Sequence, residues 1–475
     1  MNNKVGQKRV LMINTPAKNE NINRDMAGGL GYAISKEVRL PPIDLLILAA
    51  SIKRSKKFFL TRFVDGIAEN LTEYDYYKDI ISAENIDMVI GNVSLPTVED
   101  DCHFYKKIKE DFPKVEIILK TGINYPKILR RIIRESKAEK VIFSECDLNF
   151  ESYLSGKEAG GTAQIVGGKV VVNSKIKVPI DLDKLPIPAR ELTNLDRYKY
   201  GLLEGRVTTI QTSRGCPFPC SYYCPYPLVQ GKRWRYMTAK RVLKEIRVIS
   251  KLGIKNVLFR DATFTLDGQR VEEICREIIK DKIEINWWCE TRINLVSKKL
   301  LILMRKAGCQ GINVGVETLD RELLEKEGKP GVTFDDVKKI AGFAKEIGLK
   351  LHFLMMIGLP DDTVETLRTT LKQLVLLNPD SVGFSSITPY PGTKMFEEAV
   401  SKGLVKRFDW SRFDGSSINM RTKNLSILDI KLGRLLLTAA AYFLKRNGIG
   451  QKVGLGLIGS CFYGWEKFSL MKRKI

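Results

Sequence analysis

Three cysteines lie within nine residues in the segment Ser213-Arg214-Gly215-Cys216-Pro217-Phe218-Pro219-Cys220-Ser221-Tyr222-Tyr223-Cys224-Pro225. Each neighbouring pair of cysteines is separated by three residues. The prolines and the glycine disfavour a regular helix, so the segment is predicted to be a loop of defined shape. It follows an alternating β-branched run at 207–210 and precedes a helix-like segment that begins near Met237. A position between a strand and a helix suits a metal or cluster site.

Two ordinary explanations compete with a cluster at these cysteines. A disulfide would leave one cysteine over, and nothing in the sequence indicates an oxidising compartment. Zinc prefers four ligands, commonly in Cys-x2-Cys pairs, and the sequence has no second pair. Three thiolates suit a [4Fe–4S] cluster that leaves one iron open for another ligand. The spacing therefore favours an iron–sulfur site, with zinc and structural cysteines as the alternatives.

Length and composition indicate a large intracellular protein. The 475 residues allow about three domains of ordinary size, and a hydrophobic fraction of 44% is ample for a large core. The opening Met1-Asn2-Asn3-Lys4 leads into a strand-like run, so no signal peptide is expected. The other cysteines are expected to be small buried side chains in a protein of the reducing cytoplasm. They are Cys102, Cys146, Cys275, Cys289, Cys309 and Cys461.

The formal net charge of +23 is unevenly distributed. Residues 401–475 alone carry fifteen Lys and Arg against four Asp and Glu. A basic chain can bind nucleic acid, an anionic membrane or acidic substrates. Aromatic-rich basic repeats are absent from the sequence, which argues against a nucleic-acid-binding module.

The first third of the chain is predicted to form a doubly wound parallel sheet. Strand-like runs at 9–14, 58–65, 86–92, 115–122 and 140–144 alternate there with helical segments. Ligands of such sheets bind beyond the carboxyl ends of the strands, although the same residue types also form ordinary turns. The candidate cofactor-binding residues at these ends are Asn14, Gly91, Ser94, Thr121, Gly122 and Ser144.

A change of pattern follows this front part. Paired glycines and the alternating Lys169-Val170-Val171-Val172 predict a small hairpin, and 185–190 predicts an extended connector. The predicted organisation is a Rossmann-like domain at 1–155, a linker at 156–200, a core at 201–400 and a basic helical region at 401–475.

Strand–helix alternation resumes at Thr208 and continues through six strand-like runs, which are 207–210, 256–261, 285–290, 311–317, 350–358 and 381–384. Six βα units are consistent with an open, partial TIM-like barrel. The site of such a barrel lies at the carboxyl ends of its strands, where the cysteine loop also falls. The other candidates at these ends are Asp261, Glu290, Arg292, Glu317 and Gly358.

The cysteine loop followed by six βα units resembles the radical S-adenosylmethionine superfamily. The motifs Gly315-Val316-Glu317-Thr318, Ile357-Gly358-Leu359-Pro360 and Pro389-Tyr390-Pro391-Gly392-Thr393 are similar to recurring strand-end motifs of that family. The preceding sheet, with Leu40-Pro41-Pro42, resembles the cobalamin-binding domain that is often fused in front of it. The resemblance covers residues 8 to about 400.

This resemblance implies that Cys216, Cys220 and Cys224 ligate a [4Fe–4S] cluster whose open iron binds the amino and carboxylate groups of S-adenosylmethionine. Reduction would then cleave the sulfonium bond and give a 5′-deoxyadenosyl radical that abstracts hydrogen from an unactivated carbon. The spacing departs from the family's usual three and then two residues, because Ser221-Tyr222-Tyr223 is one residue longer.

The resemblance also implies roles for single residues. Tyr223, next to Cys224, is expected to pack against the adenosyl group. Glu317 is expected to accept hydrogen bonds from the ribose or the amino group, with a salt-bridged strand end as the alternative. Gly358 would let the adenine approach the backbone, with a turn glycine as the alternative. Pocket positions, each with a structural ion pair as the alternative, are expected for Asp261, Glu290 and Arg292.

The chain has two histidines, His103 and His352. Asp101-Cys102-His103 begins a cobalamin motif but lacks its glycine, so His103 is expected on a helix surface and His352 in the core or the pocket. Cobalamin would then bind without a histidine ligand, and the favoured reaction is methyl transfer to a substrate radical. The alternatives are oxidation or cyclisation with a vestigial front domain, methylthiolation of RNA, and a zinc- or nucleic-acid-binding module.

Residues 427–446 predict one helix with an apolar run of ten residues, too short for a membrane span of about 20 residues. Packing on the barrel is favoured over docking at a membrane surface, which Gly454-Leu455-Gly456-Leu457-Ile458, Phe462, Trp465 and Lys472-Arg473-Lys474 would assist. A reductant such as flavodoxin or ferredoxin is an expected partner. A lipid-linked substrate and peripheral contact with the inner membrane face are further hypotheses, and nucleic acid is not expected.

Overall fold

The computed structural model describes residues 6–472 except 20, 25–29, 34, 159, 177, 328, 330, 406–407 and 447–448. It divides into two compact units. The first comprises 1–217, 225–260 and 409–414, and the second comprises 218–224, 261–408 and 415–475. The opening Met1-Asn2-Asn3-Lys4 and the side chains of Lys472-Arg473-Lys474 lie outside the described residues.

The front part of the first unit is built on a seven-stranded sheet. The strands of this region are β1 (Lys8–Asn14), β2 (Ile22–Asn23), β3 (Tyr32–Ala33), β4 (Val38–Arg39), β5 (Phe58–Asp65), β6 (Met88–Asn92), β7 (Glu116–Lys120), β8 (Lys140–Ile142), β9 (Thr162–Val166) and β10 (Lys169–Asn173). The sheet has the order β10-β9-β8-β7-β6-β1-β5. Pairing is parallel from β8 to β5, and β9 pairs antiparallel with β8 and β10. The predicted parallel sheet is therefore present.

Burial explains the sequence patterns of this sheet. β1 is buried from Val10 to Asn14, as expected for a central parallel strand that is covered on both faces. α4 instead has a helical stripe, with Ile128, Leu129, Ile132 and Ile133 buried. The helices of the region are α1 (Ile43–Ile52), α2 (Tyr74–Ala83), α3 (Val98–Asp111), α4 (Pro126–Ser136) and α5 (Phe150–Leu154).

The segment after the front strands is packed against its surroundings. The predicted hairpin is β9–β10, and it extends the front sheet beyond β8. The predicted connector ends at Arg190, whose side chain is fully buried. Its guanidinium donates to Thr208 Oγ1 and the Thr209 carbonyl, and it forms an ion pair with Glu245 at 2.7 Å. Arg190 therefore anchors the end of the connector.

The remainder of the first unit surrounds the start of the cysteine loop. β12 and β15 pair in parallel, and β13 and β14 form a short antiparallel ribbon. A short helix, α6, lies between the two ribbon strands and was not predicted. These elements are β11 (Lys199–Tyr200), β12 (Val207–Ile210), β13 (Ser213–Arg214), α6 (Tyr226–Gln230), β14 (Arg235–Tyr236), α7 (Ala239–Lys251) and β15 (Asn256–Phe259).

The second unit contains four parallel strands that pair in chain order. Its strands are β16 (Asn286–Thr291), β17 (Cys309–Glu317), β18 (Lys350–Ile357) and β19 (Ser381–Ser386). Its helices are α8 (Gly268–Lys280), α9 (Lys298–Lys306), α10 (Arg321–Glu327), α11 (Phe334–Glu346), α12 (Val364–Leu377), α13 (Lys394–Ser401), α14 (Ile427–Leu444) and α15 (Ile449–Lys472). All six predicted strand–helix units are therefore present, which confirms the α/β class with a partial barrel.

The C-terminal region is a pair of helices. α14 buries Ile430, Gly433, Leu437 and Ala440 at helical spacing and packs on β19, α12 and α15. The predicted helix on the barrel is thereby confirmed. α15 was not predicted, because its many glycines lower the helix propensity of the segment. At Gly454 the missing side chain is needed, since a Cβ there would lie 2.4 Å from the Phe443 ring.

Candidate active site

Cys216 is positioned by the β13–β14 ribbon of the first unit. β13 ends at Arg214, and Cys216 donates its backbone N–H to the Gly231 carbonyl at 3.2 Å. Gly215, between these residues, has a φ of +85°, and a Cβ there would lie 2.2 Å from the Arg233 carbonyl oxygen. The residue before the first cysteine must therefore be glycine.

Two arginines tie this ribbon to the front sheet. Arg214 and Arg235 face each other across β13 and β14, and both bind the carboxylate of Glu145, at 3.0 and 2.6 Å. Arg214 also lies 2.6 Å from a carboxylate oxygen of Asp147. All four side chains are at least nine-tenths buried. Because Glu145 and Asp147 follow β8, the segment leading into Cys216 is fixed to the carboxyl edge of the front sheet.

A small cavity adjoins this ion cluster and has room for about one water molecule. Asp44, Lys120, Ser144 and Gln230 line it together with Arg214. Burial raises the pKa of Asp44 to about 6, and the positive charges of Lys120 and Arg214 oppose that shift. The Oδ2 atom of Asp44 has no hydrogen-bond partner among the described residues. Ser144, a predicted cofactor-binding residue, thus faces a polar cavity.

Cys220 and Cys224 belong to the second unit, where residues 219–222 form a 3-10 turn. The backbone N–H groups of Tyr223 and Cys224 both donate to the Cys220 carbonyl, at 3.2 and 3.0 Å. Cys220 is buried and Cys224 is half-buried. The extra residue in the cysteine spacing lies within this compact turn.

Arg292 packs against the same loop. Its guanidinium carbon lies 3.9 Å from the centre of the Phe218 ring, a stacked cation–π contact. The Arg292 side chain is buried, and its Nε donates weakly to Asn294 Oδ1 at 3.4 Å. Tyr222, further along the loop, donates its hydroxyl to Glu398 at 3.2 Å. Arg292 therefore contacts the loop that carries the second and third cysteines.

A lysine connects the predicted residues of this unit electrostatically. Nζ of Lys329 lies 3.0 Å from Oε1 of Glu317. Burial lowers the pKa of Lys329, but the Glu317 carboxylate, the Tyr223 phenol and the thiols of Cys220 and Cys224 outweigh it and hold that pKa well above its usual value. Burial and then Glu317 raise the pKa of Tyr223, whose buried hydroxyl has no hydrogen-bond partner among the described residues. Tyr223 and Glu317 therefore interact electrostatically with the same lysine as Cys220 and Cys224.

The backbone at Glu317 is unusual. Glu317 has a φ of +68°, and the β17–β18 register shifts between Gly315 and Glu317. Left-handed backbone is uncommon for a residue other than glycine and is found at functional sites. A Cβ at Gly315 would lie 2.6 Å from Lys329 Cε and 3.1 Å from Glu317 Oε1. The bulge and the glycine together make room for the ion pair.

Asp261 lies just after β15, and Glu290 lies within β16. Asp261 is fully buried, and one of its oxygens lies 3.7 Å from Arg270 Nη2. Glu290 accepts a long hydrogen bond of 3.5 Å from Asn313, which itself accepts the indole N–H of Trp288 at 2.6 Å. Asp261 thus has the structural ion pair that was the alternative to a pocket role.

Gly358 turns the chain after β18 with a φ of +87°. Its N–H donates to Asp362 Oδ2 at 3.0 Å, and burial raises the pKa of Asp362 to about 6. A Cβ at Gly358 would meet Ile430 at 3.2 Å and Ile387 at 3.3 Å. The turn-glycine role is therefore present.

Asn14 and Ser94 of the front sheet belong to a buried network centred on Arg24. Arg24 forms an ion pair with Asp101 at 2.8 Å, and both side chains are completely buried. The guanidinium also donates to Ser94 Oγ at 3.0 Å and to Asn92 Oδ1 at 2.9 Å, and Asn92 donates to Asn14 Oδ1 at 2.9 Å. Protein groups therefore satisfy Asn14 and Ser94.

The other predicted front residues have separate environments. A Cβ at Gly91 would lie 1.7 Å from the Tyr105 hydroxyl, so Gly91 is required by packing. Thr121 and Gly122 form the turn after β7, where Thr121 Oγ1 accepts a backbone N–H at 3.1 Å. Ser144 Oγ donates to a tyrosine hydroxyl at 3.1 Å. The structure thus groups Asn14 with Ser94 and assigns internal contacts to Gly91, Thr121 and Ser144.

Both histidines lie where the sequence analysis places them. His103 is exposed on α3. His352 is half-buried within β18, and its Nδ1 lies 2.6 Å from Ser381 Oγ. Burial, assisted by the positive charge of Lys445, lowers the pKa of His352 to about 4.

The remaining cysteines follow the prediction with one exception. Cys461 on α15 is exposed, so the expectation of a buried side chain is wrong there, because α15 presents that position to solvent. The buried ones are Cys102, Cys146, Cys275, Cys289 and Cys309. Within the described ranges, no set of three or more His, Cys, Asp or Glu side chains is arranged to hold a single metal ion. No helix of the described chain has the length and hydropathy needed to cross a membrane.

Three charged residues of these sites were missed by the sequence analysis. Lys329 lies between Gly328 and Pro330 in the sequence and Arg24 directly after β2, so neither belongs to a periodic pattern. Arg214 did offer a signal, because it is a charged residue within the cysteine segment itself, two positions before Cys216.

Residues 210–374 match the family model described as the Radical SAM superfamily. The match begins at the last residue of β12 and ends within α12. It therefore includes the three cysteines, Glu317 and Gly358.

Named relatives extend over more of the chain. It is 29% identical over 398 residues to an uncharacterized methyltransferase of Pyrococcus horikoshii, covering 81% of this chain and 84% of that protein. It is 26% identical over 389 residues to the anaerobic magnesium-protoporphyrin IX monomethyl ester cyclase of Rubrivivax gelatinosus, covering 79% of this chain and 68% of the cyclase.

A solved structure shares the fold. The cobalamin-dependent S-adenosylmethionine radical enzyme OxsB, solved with aqua-cobalamin and S-adenosylmethionine bound, matches with a TM-score of 0.70 at 14% identity. The match covers 98% of this chain and 72% of that one. The fold is therefore that of a cobalamin-binding-like domain followed by the partial barrel of a radical S-adenosylmethionine enzyme.

Proposed function

Because the chain belongs to the radical S-adenosylmethionine enzymes, we propose that it is a cobalamin-dependent methyltransferase acting on an unactivated carbon of its substrate. One observation carries the proposal: the similarity to the uncharacterized methyltransferase of Pyrococcus horikoshii extends over 81% of the chain, far beyond residues 210–374. The similarity therefore includes residues outside the stretch that the family model matches.

The residues of the second unit fit S-adenosylmethionine chemically. Its amino-acid end carries one ammonium and one carboxylate, and the Glu317–Lys329 pair offers one group of opposite charge to each. The buried Tyr223 phenol, which lacks a hydrogen-bond partner among the described residues, suits a position against the adenosyl group. Cys216, Cys220 and Cys224 supply three sulfur donors for a [4Fe–4S] cluster.

The cluster, S-adenosylmethionine and cobalamin supply the radical and methyl-group chemistry when bound. The chain's own residues position and shield these groups. Arg292 stacks on Phe218 and so limits the conformations of the cysteine loop. Glu317, whose backbone is left-handed, holds its carboxylate 3.0 Å from the ammonium of Lys329. Asp261 and Glu290 would complete the pocket wall, and Gly358 its adenine side.

The front unit would bind cobalamin at the carboxyl edge of its sheet, near Asn14, Gly91, Ser94, Thr121, Gly122 and Ser144. The donor set limits the mode of binding. His103 is exposed on α3 and His352 lies within β18, so neither of the chain's two histidines directly follows a strand of the front sheet. We therefore expect cobalamin to bind without a histidine as its lower ligand.

The partners follow from the reaction. A one-electron donor such as flavodoxin or ferredoxin must reduce the cluster.

The domain limits that we propose remain 1–155, 156–200, 201–400 and 401–475. A lipid-linked substrate and peripheral contact with the inner membrane face would suit the basic C-terminal region, and nucleic acid is not an expected partner.

Anaerobic reconstitution with iron and sulfide tests the cluster. Cys216→Ala should lose most of the [4Fe–4S] absorbance and should not cleave S-adenosylmethionine. Cys461→Ala is the matched control, because Cys461 is exposed on α15, and it should keep the full iron content. A complete cluster signal in Cys216→Ala would refute the central assignment.

Methyl transfer is tested with S-adenosylmethionine that carries a labelled methyl group. The reconstituted protein, loaded with hydroxocobalamin and reduced, should give labelled methylcobalamin and S-adenosylhomocysteine without any substrate. Release of 5′-deoxyadenosine without methyl transfer to cobalamin would favour another radical reaction, such as a cyclisation. Absence of bound corrin absorbance would remove the basis for methyl transfer altogether.

A further inference from the structure

Helix α14 has a second apolar side that faces away from the protein. Its inner side buries Ile430 and Leu437. The outer side carries Leu428, Leu432, Leu435 and Tyr442, which recur at intervals of four, three and seven residues and so form one stripe. Leu428 is 74% exposed and Leu435 is 66% exposed. At 1.5 Å per residue, this stripe, the outer face of α14, is about 20 Å long.

Both helices of the C-terminal pair carry or adjoin exposed basic side chains. Lys431 of α14 is exposed, as are Lys445 and Arg446 directly after α14 and Lys452 and Lys467 of α15. α15 also contributes exposed apolar residues, and Leu457 is 64% exposed.

The two acidic residues of these helices are paired within the protein. Asp429 accepts hydrogen bonds from Ser426 and from the indole of Trp465, and Glu466 forms an ion pair with Arg368. The charge that the two helices present outward is therefore positive.

Cations and aromatic rings are adjacent at two places on the helix pair. The guanidinium carbon of Arg446 lies 4.6 Å from the centre of the Tyr442 ring. Nζ of Lys467 also lies 4.6 Å from the centre of the Tyr463 ring. Side chains with an apolar body and a charged or polar tip are enriched where hydrocarbon meets water. The two pairs give the helices this interfacial composition.

We propose that the outer face of α14 docks on the surface of a membrane that contains anionic lipids. The leucines would enter the region between headgroups and acyl chains, and the lysines would contact lipid phosphates. A second copy of this chain fits less well, because a symmetric contact through this face would place Lys431 of one copy on a surface that is also basic in the other. The inference does not depend on the reaction type, and its test contains no turnover measurement.

Flotation of the full-length reconstituted protein with lipid vesicles tests this inference. The protein should bind vesicles of phosphatidylcholine that contain about 30% phosphatidylglycerol. It should bind much more weakly to vesicles of phosphatidylcholine alone. Raising the salt from about 0.1 M to about 0.5 M should weaken binding, because the Debye length shortens.

Two pairs of variants locate the surface. Leu428→Ser with Leu435→Ser should reduce partitioning at least about tenfold, because two exposed leucines no longer enter the lipid. The apolar control is Ile165→Ser on β9, which removes an exposed side chain from the first unit. Lys431→Glu with Lys452→Glu should also reduce partitioning more than about tenfold. Its control is Lys338→Glu with Lys339→Glu on α11, which changes the net charge equally.

Three results would overturn the inference. The first is failure of the unchanged protein to bind either kind of vesicle. The second is unchanged vesicle binding both in Leu428→Ser with Leu435→Ser and in Lys431→Glu with Lys452→Glu. The third is a concentration-dependent dimer that Leu428→Ser with Leu435→Ser abolishes, without vesicle binding, which would assign the face to a second copy. Far-UV circular dichroism of each variant verifies its folding, and the charge variant tests the face independently if the serine variant does not fold.

Discussion

The ammonium nitrogen of Lys329 lies 3.0 Å from Oε1 of Glu317, and the two side chains occupy the space that a Cβ at Gly315 would need. Three residues thus depend on one another: Gly315, Glu317 with its left-handed backbone, and Lys329. Each can be changed separately, and the consequences differ.

Gly315→Ala should destabilise the protein by about 1–3 kcal/mol, because the new methyl group displaces the end of Lys329 in a packed region. Denaturation by urea, monitored by circular dichroism, measures the change. Gly342→Ala on α11 is the control, since nothing lies within 4 Å of a Cβ there. An alanine in that helix should stabilise by about 0.5–1 kcal/mol. Equal effects of the two substitutions would contradict the packing argument.

Glu317→Gln keeps the shape of the side chain and removes its charge. Affinity for S-adenosylmethionine should fall about tenfold or more, because a charge-assisted hydrogen bond contributes about 1.5–3 kcal/mol. Equilibrium binding of labelled S-adenosylmethionine to the reconstituted protein measures this directly. Glu322→Gln on α10, where the side chain is exposed, should bind like the unchanged protein. Retained affinity in Glu317→Gln would mean that Glu317 has only a structural role.

Glu145→Gln should leave Arg214 and Arg235 buried without their shared negative partner. Removing one member of a buried ion pair costs about 3–5 kcal/mol. We expect a lower melting temperature and a lower iron content after reconstitution, because Cys216 lies two residues after Arg214. Glu273→Gln, exposed on α8, is the control and should change neither. Normal stability in Glu145→Gln would show that Asp147 alone neutralises the ribbon.

His352 should make stability depend on pH in a defined direction. Its pKa of about 4 in the folded protein is below the usual value of 6.5, so between these values the unfolded chain binds a proton that the folded chain does not. Stability contributed by this group is therefore present above pH 6.5 and is lost as the pH falls toward 4. Between pH 7 and pH 5 the loss should be about 2 kcal/mol.

His352→Gln should remove this component of the pH dependence, measured as the difference in the free energy of unfolding between pH 7 and pH 5. His103→Gln should not, because His103 is exposed on α3. A pH dependence that His352→Gln leaves intact would assign the effect to carboxylates instead.

Periodic sequence patterns predicted the elements well. β5 covers Phe58–Asp65 and β12 covers Val207–Ile210 as predicted, and α14 begins at the predicted Ile427. On α14 the buried Ile430, Gly433, Leu437 and Ala440 recur at helical spacing, whereas β12 is buried throughout, as expected for a covered parallel strand. The cysteine loop was predictable for another reason, because its spacing alone restricts the metals that it suits.

The contacts at the site were not predictable in the same way. Lys329 pairs with Glu317, which precedes α10 in the sequence, whereas Lys329 follows it, and no helical or strand period predicts such a pair. The left-handed backbone of Glu317 accompanies a register shift between β17 and β18. Such features depend on tertiary neighbours. α15 was missed because glycine lowers helix propensity, while at Gly454 packing against Phe443 favours glycine.

The sharing of Glu145 by Arg214 and Arg235 has a consequence for how the chain is made. A ribosome releases Glu145 and Asp147 before it has synthesised either arginine. Burying those carboxylates without the guanidinium groups would be costly, so the nascent front sheet cannot close its carboxyl edge until β14 has emerged. We expect nascent chains that stop before residue 235 to be protease-sensitive, and the front sheet to mature only together with the segment that carries the first cysteine.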